Sequence, residues 1–391
     1  MSPLSLEEIV ELEHRYVMGT FKRLPVAFVR GSGCHLYDSA GREYLDLVAG
    51  IAVNLLGHAH PVLLRAIAGQ AAQLVHTSNL YYTAPQVELA RRLVELAFPA
   101  RVFFSNSGAE ANETAIKIAR KWGGRNRDGA YRIISALGSF HGRTLASLAA
   151  TGQPRYQEPF RPMPDGFDHV PFNDLDAIRA ATVSATAAVL LEPVLGESGV
   201  IPAAPGYLEG VRSWCDEQGL LLILDEIQTG LGRTGSWFAH QQLGVTPDVM
   251  TLAKGLGGGV PIGACLVAPH ADMLEPGDHG ATFGGGPLAC AAGLAVLSTI
   301  SSEGLVENAL QTGGQLREAL AEIDGVEEVR GLGLMLAIGV RGGAKALEAG
   351  CLEAGLIVNA IGDGAVRMVP PLILGPADVE RAATIIEARL R

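Results

Sequence analysis

PDVMTLAKGLGGGVPIGA, residues 247–264, sets a short apolar run ahead of a single lysine, Lys254. Glycines crowd the next five positions, and a second apolar run, GACLVA, starts at Gly263. The runs are too short for helices and read as buried strands, with the lysine at the exit of the first. Outward from this stretch the same unit recurs: RVFFS (101–105), YRIISA (131–136), AAVLLEP (187–193) and LLILDE (221–226). Helical stretches such as 62–75 and 85–97 lie among them. Strands alternating with helices predict an α/β fold whose large domain holds a mostly parallel sheet covered by helices.

The flanks read differently. GCHLYDSAGREYLDL (33–47) alternates apolar and polar residues around a turn and predicts a hairpin or small edge sheet. After about residue 273 come a small-residue helix, PLACAAGLAVLSTI, then further helices and strands near 333–340 and 365–369. The expected organisation is an N-terminal segment (1–50) packing on the small domain, a large domain (51–272), and a smaller α+β domain (273–391).

The bulk numbers narrow the function. Of 391 residues 48% are apolar and 18% charged, which allows a large core and argues against extensive disorder. The net charge of −11, with no Lys/Arg-rich run, argues against a nucleic-acid surface. The five cysteines (Cys34, Cys215, Cys265, Cys290, Cys351) form no CxxC pair and indicate a reducing compartment. The N-terminus reads as an acidic amphipathic helix without the basic and apolar regions of a signal peptide, and no apolar run is long enough to span a bilayer. The expectation is a soluble cytoplasmic protein with no membrane or nucleic-acid partner.

In open α/β sheets ligands bind beyond the carboxyl ends of the strands, so the residues at those ends are the candidates. After RVFFS, Ser107-Gly108-Ala109 opens a helix whose free N–H groups favour a phosphate; the plainer reading is a Ser107 cap with Glu110 complementing the dipole. After LLIL come Asp225, Glu226, Ile227 and Gln228, where the aspartate either caps a loop or pairs with a cationic ring. After YRIISALG, Phe140 is either core or a stacking face, and Arg143 suits a carboxylate. Glu192 and Glu197 follow another strand, as acid/base groups or as part of a solvated loop. A buried Lys254 would have a lowered pKa and a nucleophilic amine. Together these groups match the needs of pyridoxal 5'-phosphate: an anion site, a carboxylate for its ring nitrogen, and a lysine for its aldehyde.

Several longer blocks carry a family resemblance. AGIAVNLLGHAHP (49–61), HTSNLYYTAPQVELA (76–90), SNSGAEANETAIKIAR (105–120) and SFHGRTLASLAATGQPRYQ (139–157) are four of them. LLILDEIQTGLGRTGSWFAH (221–240), residues 247–264, GDHGATFGGGPLACAAGLAVL (277–297) and VRMVPPL (366–372) are the others. From about residue 20 almost to its end the chain resembles a class III pyridoxal-phosphate aminotransferase of fold type I, and within that class the acetylornithine aminotransferase group.

The resemblance implies roles. Lys254 would bind the cofactor as a Schiff base, Asp225 would pair with its ring nitrogen, Gln228 would approach the ring oxygen, and Phe140 would stack on the ring. Glu226 and Ile227 would complete that stretch. Ser107, Gly108 and Ala109 would hold the phosphate, and Thr282 would reach the phosphate of a neighbouring subunit in a homodimer with shared active sites. Arg143 and Arg367 would bind substrate carboxylates, Ala281 would stand beside the substrate, and Glu197 would pair with Arg367 as a switch between half-reactions. The implied reaction moves the terminal amino group of N2-acetyl-L-ornithine to 2-oxoglutarate, giving N-acetyl-L-glutamate 5-semialdehyde and L-glutamate in arginine biosynthesis.

Alternatives are a lysine aminotransferase acting on a carrier protein in lysine biosynthesis, an ornithine or 4-aminobutyrate aminotransferase, and a non-enzymatic pyridoxal-phosphate-binding regulator. A nicotinamide enzyme would need GxGxxG, which GLGLML (331–336) does not complete, and GxSxG of a serine hydrolase is absent. The HAH at 58–60 lacks a surrounding ligand pattern, so no metal is expected. The chain departs from the usual group pattern at Ala109, Ala281, Leu195, Ser198, Gly286 and Phe21, which bears on the choice of donor.

Overall fold

A computed structural model describes residues 4–341 and 343–391. Its centre is a seven-stranded sheet built from β1 (Arg101–Ser105), β2 (Arg132–Ala136), β3 (Phe167–Val170), β4 (Thr186–Leu191), β5 (Leu221–Asp225), β6 (Val249–Leu252) and β7 (Gly263–Val267). The spatial order is β1-β7-β6-β5-β4-β2-β3. β7 runs antiparallel to both its neighbours, β6 and β1, while the pairings among β6, β5, β4, β2 and β3 are parallel. Strands β4 to β7 are buried at every position, which is why they read as unbroken apolar runs.

This arrangement brings the C-terminal ends of β1, β2, β4, β5 and β6 to one edge, where the antiparallel β7 presents its N-terminal end. The helix Gly108–Asn126 leaves that edge. Ser107 caps it, its Oγ accepting from Glu110 N at 3.2 Å, while Asn106 N donates to Glu110 Oε2 at 2.6 Å. Ala111, Ala115, Ile118 and Ala119 form its buried face.

Two smaller sheets flank the centre. Phe28–Ser32, His35–Asp38 and Glu43–Asp46 pair antiparallel, and Leu356–Ile357 joins Glu43–Asp46 in parallel. Val326–Leu332, Met335–Val340, Ala365–Met368 and Asn359–Ile361 form an antiparallel sheet. Helices Pro287–Ser302, Leu305–Ala321, Ala344–Glu353 and Pro376–Leu390 belong to the C-terminal part. Arg233 ties the central region to it, donating from Nη1 to Leu334 O at 3.0 Å and to Pro370 O at 2.5 Å while fully buried.

Among the described residues no single helix is long and apolar enough to cross a membrane. His58 of the HAH stretch lies 2.8 Å from Asp46, which also accepts from Val48 N and Ala49 N.

Candidate active site

The sheet edge opens into a cavity of about 400 Å³. Ser107, Gly108 and Ala109 line one wall; Asp225, Ile227 and Gln228 another; Phe140 and Arg143 a third. Lys254, Glu192 and Glu197 complete it.

Asp225 ends β5 and is buried. Its Oδ2 accepts from Asn112 Nδ2 at 2.7 Å and from His141 Nδ1 at 2.9 Å, and its Oδ1 from Ile227 N at 3.1 Å. Thr251 Oγ1 donates to Asn112 Oδ1 at 2.8 Å, so the carboxylate is held from β6 and from the capped helix at once. His141 Nε2 is buried and unpartnered among the described residues. Such a carboxylate, fixed and only partly satisfied, suits a cationic N–H.

Lys254 follows β6 with a positive φ of 41°, a conformation that turns its side chain off the strand line. Burial lowers its pKa from 10.5 to about 8, with Arg367 adding to the effect and Glu197, Asp225 and Glu192 opposing it. Glu192 is pushed up to about 7, chiefly by burial. Its carboxylate accepts from Phe140 N at 2.9 Å and Gly196 N at 3.2 Å, joining the loop of the aromatic to the loop of Glu197.

Arg367, on Ala365–Met368, is buried and donates from Nη1 to Glu197 Oε1 at 2.6 Å, and from Nη2 to Asn359 Oδ1 at 2.7 Å. The same Nη1 is 3.2 Å from Gln228 Oε1. Burial alone would raise the Glu197 carboxyl, but Arg367 and Lys254 hold it below its ordinary value.

Arg367 itself does not line the cavity but stands behind Glu197 and Gln228, which do, and three further positions fall elsewhere. Glu226 does not line the cavity: its carboxylate accepts from Thr229 Oγ1, from the backbone N of Ala239 and His240, and lies 3.0 Å from His240 Nδ1. Neighbours on a strand end point to opposite sides, so Asp225 facing the cavity sends Glu226 away. Thr282 and Ala281 lie outside the cavity of their own chain, on a segment held by Asn79 Nδ2 through Ala281 O at 3.0 Å and Gly284 O at 2.9 Å. Two site residues escaped the sequence reading, Asn112 and His141. Both sit inside quoted blocks, and His141 directly follows Phe140, but only the fold reveals their convergence on Asp225.

The donor set fits pyridoxal phosphate. The first amides of the Gly108–Asn126 helix have no helical acceptor and border the cavity, where they suit an anion. A Cβ at Gly108 would stand 2.8 Å from Ile227 Cδ1, so a side chain there would have to push the Ile227 side chain aside. Asp225 suits the ring nitrogen, Phe140 the ring face, and Lys254 the aldehyde.

Residues 18–390 match the family described as Aminotransferase class-III, and this chain belongs to it. It is a pyridoxal-phosphate-dependent aminotransferase of fold type I. It is 52% identical, across 94% of its length and 95% of theirs, to acetylornithine aminotransferase 1 of Bordetella bronchiseptica. It is 47% identical, across 97% of each, to the acetylornithine aminotransferase of Methanothermobacter thermautotrophicus. Among solved structures it is similar to N-acetylornithine aminotransferase from Stenotrophomonas maltophilia, with a TM-score of 0.83, 40% identity and coverage of 97% and 98%. The ornithine aminotransferase of Toxoplasma gondii is similar too, with a TM-score of 0.94, 32% identity and coverage of 99% and 95%.

Proposed function

We propose that this chain moves the terminal amino group of N2-acetyl-L-ornithine to 2-oxoglutarate, releasing N-acetyl-L-glutamate 5-semialdehyde and L-glutamate. The relatives named above support the donor. The observation that carries the reading is the 2.6 Å pair between Arg367, buried behind the cavity, and Glu197, which lines it. An enzyme that accepts a terminal amine in one half-reaction and an α-keto acid in the other must hide a carboxylate receptor in the first and expose it in the second. Glu197 neutralises Arg367 while the donor, whose reacting carbon bears no carboxylate, is bound. It swings away when 2-oxoglutarate brings its α-carboxylate.

Bound pyridoxal phosphate supplies an aldehyde that condenses with amines and a ring that stabilises negative charge on the reacting carbon. The chain's own groups do the rest. Ser107, Gly108 and Ala109 hold the phosphate, Asp225 keeps the ring nitrogen protonated, Phe140 and Ile227 enclose the ring, and Gln228 faces its oxygen. Lys254 Nζ, uncharged above about pH 8, would take the proton from the substrate carbon and deliver it to the carbon of the cofactor's aldehyde group. Arg143 binds the carboxylate remote from the reacting carbon.

The reading includes a homodimer with shared sites. Exposed Leu80, Tyr81, Tyr82 and Phe283 mark a face that a second copy would cover, and exposed Thr282 belongs to it. It also includes the division at 1–50, 51–272 and 273–391, supported by the pairing of Leu356–Ile357 with Glu43–Asp46. The five cysteines are buried and unpaired, which supports a cytoplasmic location.

The test is glutamate formation from 2-oxoglutarate with N2-acetylornithine, ornithine or 4-aminobutyrate as donor. The highest kcat/KM is expected for N2-acetylornithine. A preference for ornithine or 4-aminobutyrate would overturn the donor, and no turnover of any free donor would favour a carrier-bound lysine.

A further inference from the structure

Arg143 is exposed at the cavity mouth, and among the described residues its guanidinium takes neither a hydrogen bond nor an ion pair. An unpaired arginine of this kind samples many rotamers, and a carboxylate that binds it must first restrict them. What holds it is aromatic. Its Cζ lies 3.8 Å from the ring centre of Tyr156, a face contact, and 5.5 Å from that of Phe140. Stacking occupies the face of the guanidinium and leaves its N–H edge free for a carboxylate fork.

Tyr156 is itself tightly placed. Its ring meets that of Phe140 edge-on at 88°, with centres 6.5 Å apart. Arg155 Nη2 donates to Tyr156 Oη at 3.0 Å and to Gln153 Oε1 at 3.0 Å, and Gln153 Nε2 donates to Ser139 O at 3.1 Å. The next residue, Gln157, is buried and donates to Thr151 O at 2.8 Å and to Leu148 O and Ala149 O. The plate under Arg143 is thus fixed to the loop that carries Phe140.

We propose that Tyr156 is a positioning residue for Arg143, and that its ring sets selectivity for substrates bearing a carboxylate remote from the reacting carbon. The inference rests on the role given to Arg143 above.

The experiment compares the holoenzyme with Tyr156→Leu, Tyr156→Phe and Arg143→Ala. Glutarate, a dicarboxylate that cannot react, reports binding by calorimetry. In Tyr156→Leu the glutarate Kd and the KM values for N2-acetylornithine and 2-oxoglutarate should rise roughly three- to ten-fold, as loss of one cation–π stack implies. The kcat should stay within about two-fold, and Tyr156→Phe, which keeps the ring, should restore the Kd. Reaction with 1-aminobutane, which has no carboxylate, should be unaffected. If Arg143→Ala weakens glutarate binding and Tyr156→Leu does not, the inference falls while the role of Arg143 stands. If Arg143→Ala has no effect, the carboxylate role of Arg143 falls first. A Phe variant as impaired as the Leu variant, or equal slowing with 1-aminobutane, would also overturn the positioning role.

Discussion

At the scale of single residues, two partly buried charges define the proposed chemistry. Lys254 has its pKa lowered to about 8 by burial, so its uncharged amine becomes available as pH rises through that value and not through 10.5. Labelling of the apoprotein with trinitrobenzenesulfonate should therefore include one site with a midpoint near pH 8, missing in Lys254→Ala; a midpoint shared with ordinary surface lysines would refute the environment described. In the proposed reaction Glu197 acts through Arg367. Glu197→Ala leaves that guanidinium open in both half-reactions, so kcat/KM for glutamate should gain on that for N2-acetylornithine by about ten-fold, the effect of one charge-assisted bond. Equal losses for both donors would sink the switch.

The elements matter because the loops after the strands are fitted to one another. Gly142 has a φ of +134°, and a Cβ there would stand 2.5 Å from Ser147 Oγ and 2.7 Å from Ala109 Cβ. Gly142→Ala should cost at least about 2 kcal/mol by urea unfolding, from strain and overpacking combined, and should loosen the phosphate end. Glu192 bolts two loops together, and burial raises its pKa to about 7. The folded protein therefore keeps a proton there that the unfolded chain has released. The stability this group contributes is complete below the ordinary carboxylate range and is lost as pH rises to about 7. Glu192→Gln does not titrate, so relative to it the native apoprotein should weaken between pH 5 and 7. Parallel stability curves for the two proteins would contradict this.

The whole molecule leaves one face unfinished. Tyr82 is 99% exposed, Leu80 84% and Phe283 67%, adjoining the segment of Thr282 that its own cavity does not use. If this face carries the proposed homodimer, Tyr82→Asp combined with Leu80→Asp should leave a monomer in light scattering, with circular dichroism unchanged. In the proposed shared site cofactor retention should fall with it, because each cavity would then lack the neighbour's Thr282. A fully active monomer would refute the shared site.

Much of this was readable along the chain because the relevant signals are local. Strand runs, the Ser107 cap and the positions of Asp225 and Lys254 at strand exits follow from periodicity and short-range chemistry. Even the inward face of Asp225 and the outward face of Glu226 obey strand alternation, a signal carried by the sequence itself. Other features are set by tertiary packing alone. Arg367 meets Glu197 across 170 positions of sequence, and Asn112 and His141 reach Asp225 from two further elements. Tyr156 comes under Arg143 because the adjoining Gln157 ties its segment to the carbonyls of Leu148, Ala149 and Thr151, at the end of the short helix Leu145–Ala150 that lies between them in sequence. Local sequence determined which groups stand at the strand ends; the distances between them depend on how helices and sheets pack, which no single stretch encodes.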